Sequence, residues 1–279
     1  MTGSAPSDKV ALEALASGKV IDMIQAALLL LLSLLSPSPL RFQDPPPDPS
    51  DKRPEVAELL NKLKAHSGKE GKEDKDAIAV IDQLNQEFPK SGPKDKISIV
   101  KGLSKCFEER RLEKEGEAPQ NQLYLAAATA LGQMGPESTD ILISWIGQKN
   151  LRKDTAVQHR LILSLGQTKN KKAIKELVNN LQNPTPSLVS AAAEALGEFD
   201  GADLETRKST FEALLKVLMS AKGAKDSNVN DGIARERYDV IAAPIITSLA
   251  KLSKHDERDP DKWQTWWNKN KRTDWDAEQ

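Results

Sequence analysis

The stretch from Leu188 to Asp200 reads LVSAAAEALGEFD, and Leu123 to Gly135 reads LYLAAATALGQMG. A third copy, VQHRLILSLGQ, occupies Val157 to Gln167 between them. In all three, apolar and small residues recur every three or four positions, the signature of an amphipathic helix. The Leu-Gly pairs stand at 131–132, 165–166 and 196–197, so the repeat is 34 and then 31 residues long. Behind each lies a second apolar helix: Ile141, Leu142, Trp145 and Ile146; Ile174, Leu177, Val178 and Leu181; Phe211, Leu214, Leu215 and Leu218. One helix pair therefore makes one repeat. Each pair leaves an apolar face that only the next pair covers, so several must stack. The triplets Ala126–Ala128 and Ala191–Ala193 predict helices in close approach. A Gly directly after the last Leu predicts a left-handed residue ending each helix.

Working outward, Pro54 suits a first helical turn and is followed on one face by Val56, Leu59, Leu60 and Leu63. A polar break from Ser67 to Lys75 precedes a helix through Ile78, Ile81, Leu84 and Phe88, with Asp76 near its start, where the helix dipole favours negative charge. Aromatic residues make up 4% of the chain and charged ones 29%, a balance that suits helices and not β-sheet. The fold expected is all-α: an α-solenoid of about five stacked antiparallel helix pairs over residues 54–270, with a tail at 271–279.

The A-A-A-x-A-L-G pattern backed by a second apolar helix resembles bacterial HEAT repeats, clearly over about 119–219 and loosely over 54–118 and 229–270. The resemblance implies a HEAT-like superhelix working as a non-catalytic scaffold, with another protein or peptide on a concave face lined by the second helix of each pair. That places the expected surface at Ser138–Gln148, Lys171–Gln182 and Arg207–Ala221. Some HEAT-like proteins are bilin lyases or base-excision glycosylases. The second type needs an aromatic-lined basic groove, for which only Tyr124 and Trp145 stand mid-chain.

Chemistry is thinly represented. The chain has no G-x-G-x-x-G, G-x-x-x-x-G-K, H-E-x-x-H or G-x-S-x-G. His66, His159 and His255 fall in separate repeats, and none has a His or Cys at metal-ligand spacing. No cofactor, metal or catalytic residue is expected. Cys106 is the one cysteine and reads as a small core residue beside Leu103 and Phe107.

Basic and acidic residues number 40 and 41, which argues against a general nucleic-acid binder. One local excess stands out between Lys149 and Glu176. Arg152, Lys153, Lys169, Lys171, Lys172 and Lys175 form a basic band there, opposed by Asp154 and Glu176. It is a candidate dock for an acidic partner, for an anionic polymer such as nucleic acid, or for a membrane surface, or else a solvated helix face.

The ends differ from the body. The uncharged run Ala26–Leu35, AALLLLLSLL, is too short to span a bilayer and matches a signal-peptide core within a leader at 1–40, with Met23 a plausible start. An exported, periplasmic or cell-envelope location is expected on that basis, with membrane attachment through the leader if it is uncleaved. Residues 41–53, rich in proline, read as a linker. Near the other end Asp259-Pro260 opens a helix on which Trp263, Trp266 and Trp267 share a face. They read as a cap on the last repeat, with an aromatic cage or membrane anchor as the alternative.

Overall fold

In the computed structural model, residues 50–111 and 120–277 are described; the leader, its apolar run and residues 41–49 of the linker lie outside them. Eleven α-helices follow one another among the described residues. They are α1 (Pro54–Ser67), α2 (Asp74–Glu87), α3 (Pro93–Lys105), α4 (Gln122–Gln133), α5 (Thr139–Trp145) and α6 (Thr155–Gln167), then α7 (Lys172–Asn180), α8 (Pro186–Gly197), α9 (Leu204–Ser227), α10 (Gly232–Ser253) and α11 (Pro260–Asn270). No strand occurs among these residues, and no helix there is long and apolar enough to cross a membrane. The fold is the expected all-α HEAT-like solenoid.

The helices sort into two rows by their parity. The even row, α2, α4, α6, α8 and α10, is in continuous and extensive contact. The odd row, α1 through α11, touches only sparingly from one helix to the next. Between the rows lies one core. Ala127, Ala128, Ala191, Ala192 and Ala193 are fully buried in it, along with Leu131, Leu165 and Leu196.

The Leu-Gly glycines correct one expectation. None adopts the left-handed conformation; positive φ among described glycines falls at Gly71, Gly135 and Gly147. Gly132, Gly166 and Gly197 lie within their helices, where they remove a side chain at a contact. A Cβ on Gly132 would stand 2.9 Å from Ser164 Cβ on α6, and one on Gly166 would stand 2.6 Å from Ala195 Cα on α8. A Cβ on Gly197 would meet Ser248 Oγ of α10 at 2.6 Å. Ser248 instead donates to the Ala193 carbonyl at 2.8 Å, which joins α10 to α8. The motif thus stands at the helix ends as expected, but it serves there to space neighbouring helices and not to supply a left-handed residue.

The odd row is joined by charge at successive junctions. Lys96 of α3 pairs with Glu137 at 3.3 Å, Lys172 of α7 with Asp140 of α5 at 3.1 Å, and Lys222 of α9 with Asp261 of α11 at 3.2 Å. Lys171 pairs with Asp203, whose carboxylate also caps α9 through Thr206 N at 2.9 Å. At the first junction, Asp51 accepts from Lys94 N at 2.8 Å at the start of α3, and Asp95 accepts from Lys52 N and Arg53 N at 3.0 and 2.9 Å. Residues 50–53 are therefore strapped to α3, and the folded body begins ahead of Pro54.

Cys106 lies in the core with Leu103 and Phe107, and burial pushes its thiol up to about 12. The tryptophans close the last repeat. Phe211 of α9 sits among Trp263, Trp266, Trp267 and Trp275, with ring centroids 5.1–5.6 Å away. The space a cage would offer is filled by that phenylalanine. His255 stacks on Trp266 at 5.1 Å. Trp275 and Asp276 reach back from the tail, and Asp276 pairs with Arg207, whose guanidinium is buried and also donates to the Leu252 carbonyl at 3.2 Å.

Candidate functional site

In a two-row stack the more closely spaced row follows the shorter path, so it forms the inner side of any bend. Glycine contacts place the even row there. The surface expected from the sequence, 138–148, 171–182 and 207–221, belongs to α5, α7 and α9 of the odd row and lies on the opposite side. The reason is mechanical: the close-packing motif lies on the first helix of each pair as numbered from the sequence, and close packing decides which row is inner.

The middle of the even row is also poor in charge, unlike α2 and α10 at its ends. Across the whole of α4, α6 and α8 the only charged residues are Arg160 and Glu194, in a chain that is 29% charged. The partly or fully exposed positions on these helices include Ala126, Thr129 and Gln133, then His159, Leu163 and Gln167, then Ser187, Ser190 and Glu194. Thr129 spends its hydroxyl on the Leu125 carbonyl at 2.8 Å and so presents its methyl. His159 is half-buried. Burial lowers its pKa first, Arg160 adds to that, and nearby Glu194 opposes it. The neutral imidazole is therefore favoured on a face with little charge.

At the last repeat this face changes character. α10 has 22 residues and its partner α9 has 24, against 12 or 13 in α4, α6 and α8. At about 1.5 Å per residue, α9 and α10 are each more than 10 Å longer than their neighbours. Ile233 and Val229, at the turn between them, are 82% and 73% exposed, and Val240 one stretch further is 39% exposed. Sequence reasoning missed these residues. The signal was present in the absence of a break between Leu204 and Ser227, which makes this pair longer than the repeat needs.

The basic band does not converge. Arg152 and Lys153 precede α6, whereas Lys169, Lys171 and Lys172 follow its end, so about 20 Å of helix lies between the two groups. Lys171 and Lys172 are held by acids of the neighbouring repeats, as described above. Lys175 is exposed on α7. Tyr124 and Trp145 both pack on Phe107, with ring centroids 6.3 and 5.3 Å from it. Trp145 Nε1 donates to Ser104 Oγ at 2.8 Å, and the Tyr124 hydroxyl donates to the Glu109 carbonyl. Among the described residues no three His, Cys, Asp or Glu side chains are grouped to hold a metal ion. The histidines stay apart: His66 Nδ1 meets Glu73 at 2.8 Å, His159 lies on the even-row face and His255 is in the cap.

Stacked helix pairs with one continuous core and a broad, nearly uncharged face define a helical-repeat protein. The family described as HEAT repeats matches residues 114–197 and again 149–220. The chain therefore carries HEAT repeats over this span, as the Leu-Gly pattern implied. Comparison with curated proteins gave no match.

Proposed function

We infer that the chain is a non-catalytic scaffold that holds another protein on the even-row face. The observation that supports this is the near absence of charge on α4, α6 and α8, where a solvated surface of this composition would carry many charges. Interfaces are depleted of charge at their centres, and repeat arrays offer extended surfaces for such contacts. HEAT repeats as a family support the same reading.

The test is capture of partners by the full chain, compared with two variants. Thr129→Glu with Ser190→Glu places charge on the even row; Lys175→Glu changes the odd row. A partner retained by Lys175→Glu and lost by the first variant supports the reading. The reverse pattern sinks it. Export through the apolar run Ala26–Leu35 is proposed on the signal-like length of that run; sequencing the amino terminus of the mature protein tests it, and an intact Met1 or Met23 would count against a cleaved signal.

A further inference from the structure

The α8–α10 end of the even-row face has its own chemistry. On α10, Ile233, Glu236, Val240, Ala243 and Thr247 follow a spacing of three and four and form one stripe. Every one of them is exposed except where Val240 is partly covered, and Asp239 lies beside the stripe, exposed as well. The opposite side of the helix is buried through Ile241, Ile245, Leu249 and Leu252, which fixes the stripe outward. Arg237 Nη1 donates to the carbonyls of Asn183 and Pro184 at 3.2 and 3.3 Å, just ahead of α8. Ser248 meets Ala193 near the other end of α8. The two helices therefore run side by side and in step, and the first turn of α10, with Ile233, projects past the start of α8.

Three acids are spread along this pair of helices: Glu236 and Asp239 on α10 lie level with the start of α8, and Glu194 on α8 lies about 15 Å further on, near Ser248. All are exposed, and none forms an ion pair among the described residues. Three of the basic residues nearby are engaged, while Arg160 on α6 lies near His159 as Glu194 does. Lys251 pairs with Glu198 at 3.1 Å, Arg237 is held by the two carbonyls, and Arg235 donates to the Val229 carbonyl. Pro244 adds a further acceptor. It lies inside α10 and has no N–H, so the Val240 carbonyl lacks its helical donor at an exposed position. The surface thus combines aliphatic side chains, unpaired carboxylates and a carbonyl in need of a donor.

We propose that the α8–α10 end of the face binds a basic segment of a partner protein in which Lys or Arg alternates with aliphatic residues. The aliphatic groups cover Ile233 and Val240, and the cationic groups meet Glu194, Glu236 and Asp239. This rests on the scaffold reading and names the chemistry of its partner. It reverses the expectation of an acidic partner at the basic band, two of whose lysines are committed to neighbouring repeats.

The experiment is fluorescence anisotropy of the full chain with labelled synthetic peptides of alternating Leu and Lys, Leu and Glu, or Leu and Ser. The Leu–Lys peptide is expected to bind at least about tenfold more tightly than Leu–Glu. Glu194→Lys, Glu236→Lys and Asp239→Lys together should abolish that preference. Glu55→Lys, Glu205→Lys and Glu212→Lys, the same charge change on the odd row, should keep most of it. Ile233→Ser with Val240→Ser should weaken Leu–Lys about fivefold or more, and circular dichroism checks that each variant folds. A preference for Leu–Glu, no preference, or a preference that survives the even-row triple substitution overturns the proposal. Partner capture sensitive to Thr129 and Ser190 would then leave the scaffold reading standing. Partner capture indifferent to Thr129→Glu with Ser190→Glu, with the peptide preference intact, would sink the scaffold reading alone.

Discussion

The even and odd rows are built from the same chain at the same period, yet they are held together by different forces. In the even row, helices meet backbone against side-chain base, through Gly132, Gly166 and Gly197. In the odd row they meet through Lys–Asp and Lys–Glu pairs whose partners are largely exposed. Close packing transmits any change in volume, whereas an exposed ion pair contributes little because water already solvates both charges. The lesson is that rows of one period can be joined in two ways: the charged residues of the odd row sit at repeat junctions, and the small uncharged ones of the even row set the helix spacing.

Four experiments test that contrast, with the capped end as a third region beside the two rows. The largest effect is expected at the cap, where Phe211→Ala removes the ring that four tryptophans surround; about 3–5 kcal/mol of stability should be lost in urea unfolding. Next comes the even row. Gly166→Ala puts a methyl 2.6 Å from the Ala195 backbone and should cost about 1–3 kcal/mol, although alanine favours helix on propensity alone. A stabilising outcome would show that the rows are not packed as described. Lys172→Ala in the odd row should cost under about 1 kcal/mol, and a double-mutant cycle with Asp140→Ala should give a coupling of about that size or less, falling with salt. A coupling as large as the Gly166 effect would erase the distinction between rows. The smallest effect concerns pH. Because burial lowers the pKa of His159, the folded state binds fewer protons than the unfolded chain as pH drops below the ordinary histidine value. Stability contributed by the neutral ring is present above that value and lost as pH falls through it. Melting temperatures at about pH 7.5 and about pH 5.5 should differ less in His159→Gln than in the unsubstituted chain.

Much of this architecture was legible from residues 119–219. The alanine triplets, the Leu-Gly pairs and the helix that follows each one gave the repeat and its period. The Trp263, Trp266 and Trp267 spacing gave the cap, because i, i+3, i+4 positions share a helix face in any setting. Four things were not legible, each for a physical reason. The Leu-Gly glycines do stand at the helix ends, where a local rule predicts a left-handed residue; their actual cause, Ala195 or Ser248 on a neighbouring helix, lies 29 to 51 residues away in sequence. The inner row was misassigned because order within a pair does not reveal spacing between pairs. The basic band read as one patch because composition takes no account of the length of α6, which separates its members. Phe211 and Arg207 joined the cap unannounced, since neither neighbours a tryptophan in the chain.

The unequal joining of the rows also gives the molecule a direction of compliance. A strip made of one inextensible layer bonded to one that stretches can only curl. Here the glycine-spaced side plays the inextensible layer, and the lysine-laced side the one that stretches. Ionic strength acts mainly on the second, where most of the junction ion pairs lie, since screening at about 0.15 M already reaches within about 8 Å of an exposed charge. Salt should therefore loosen the odd row more than the even one, and a segment bound across several repeats would feel the change as an altered pitch along its length.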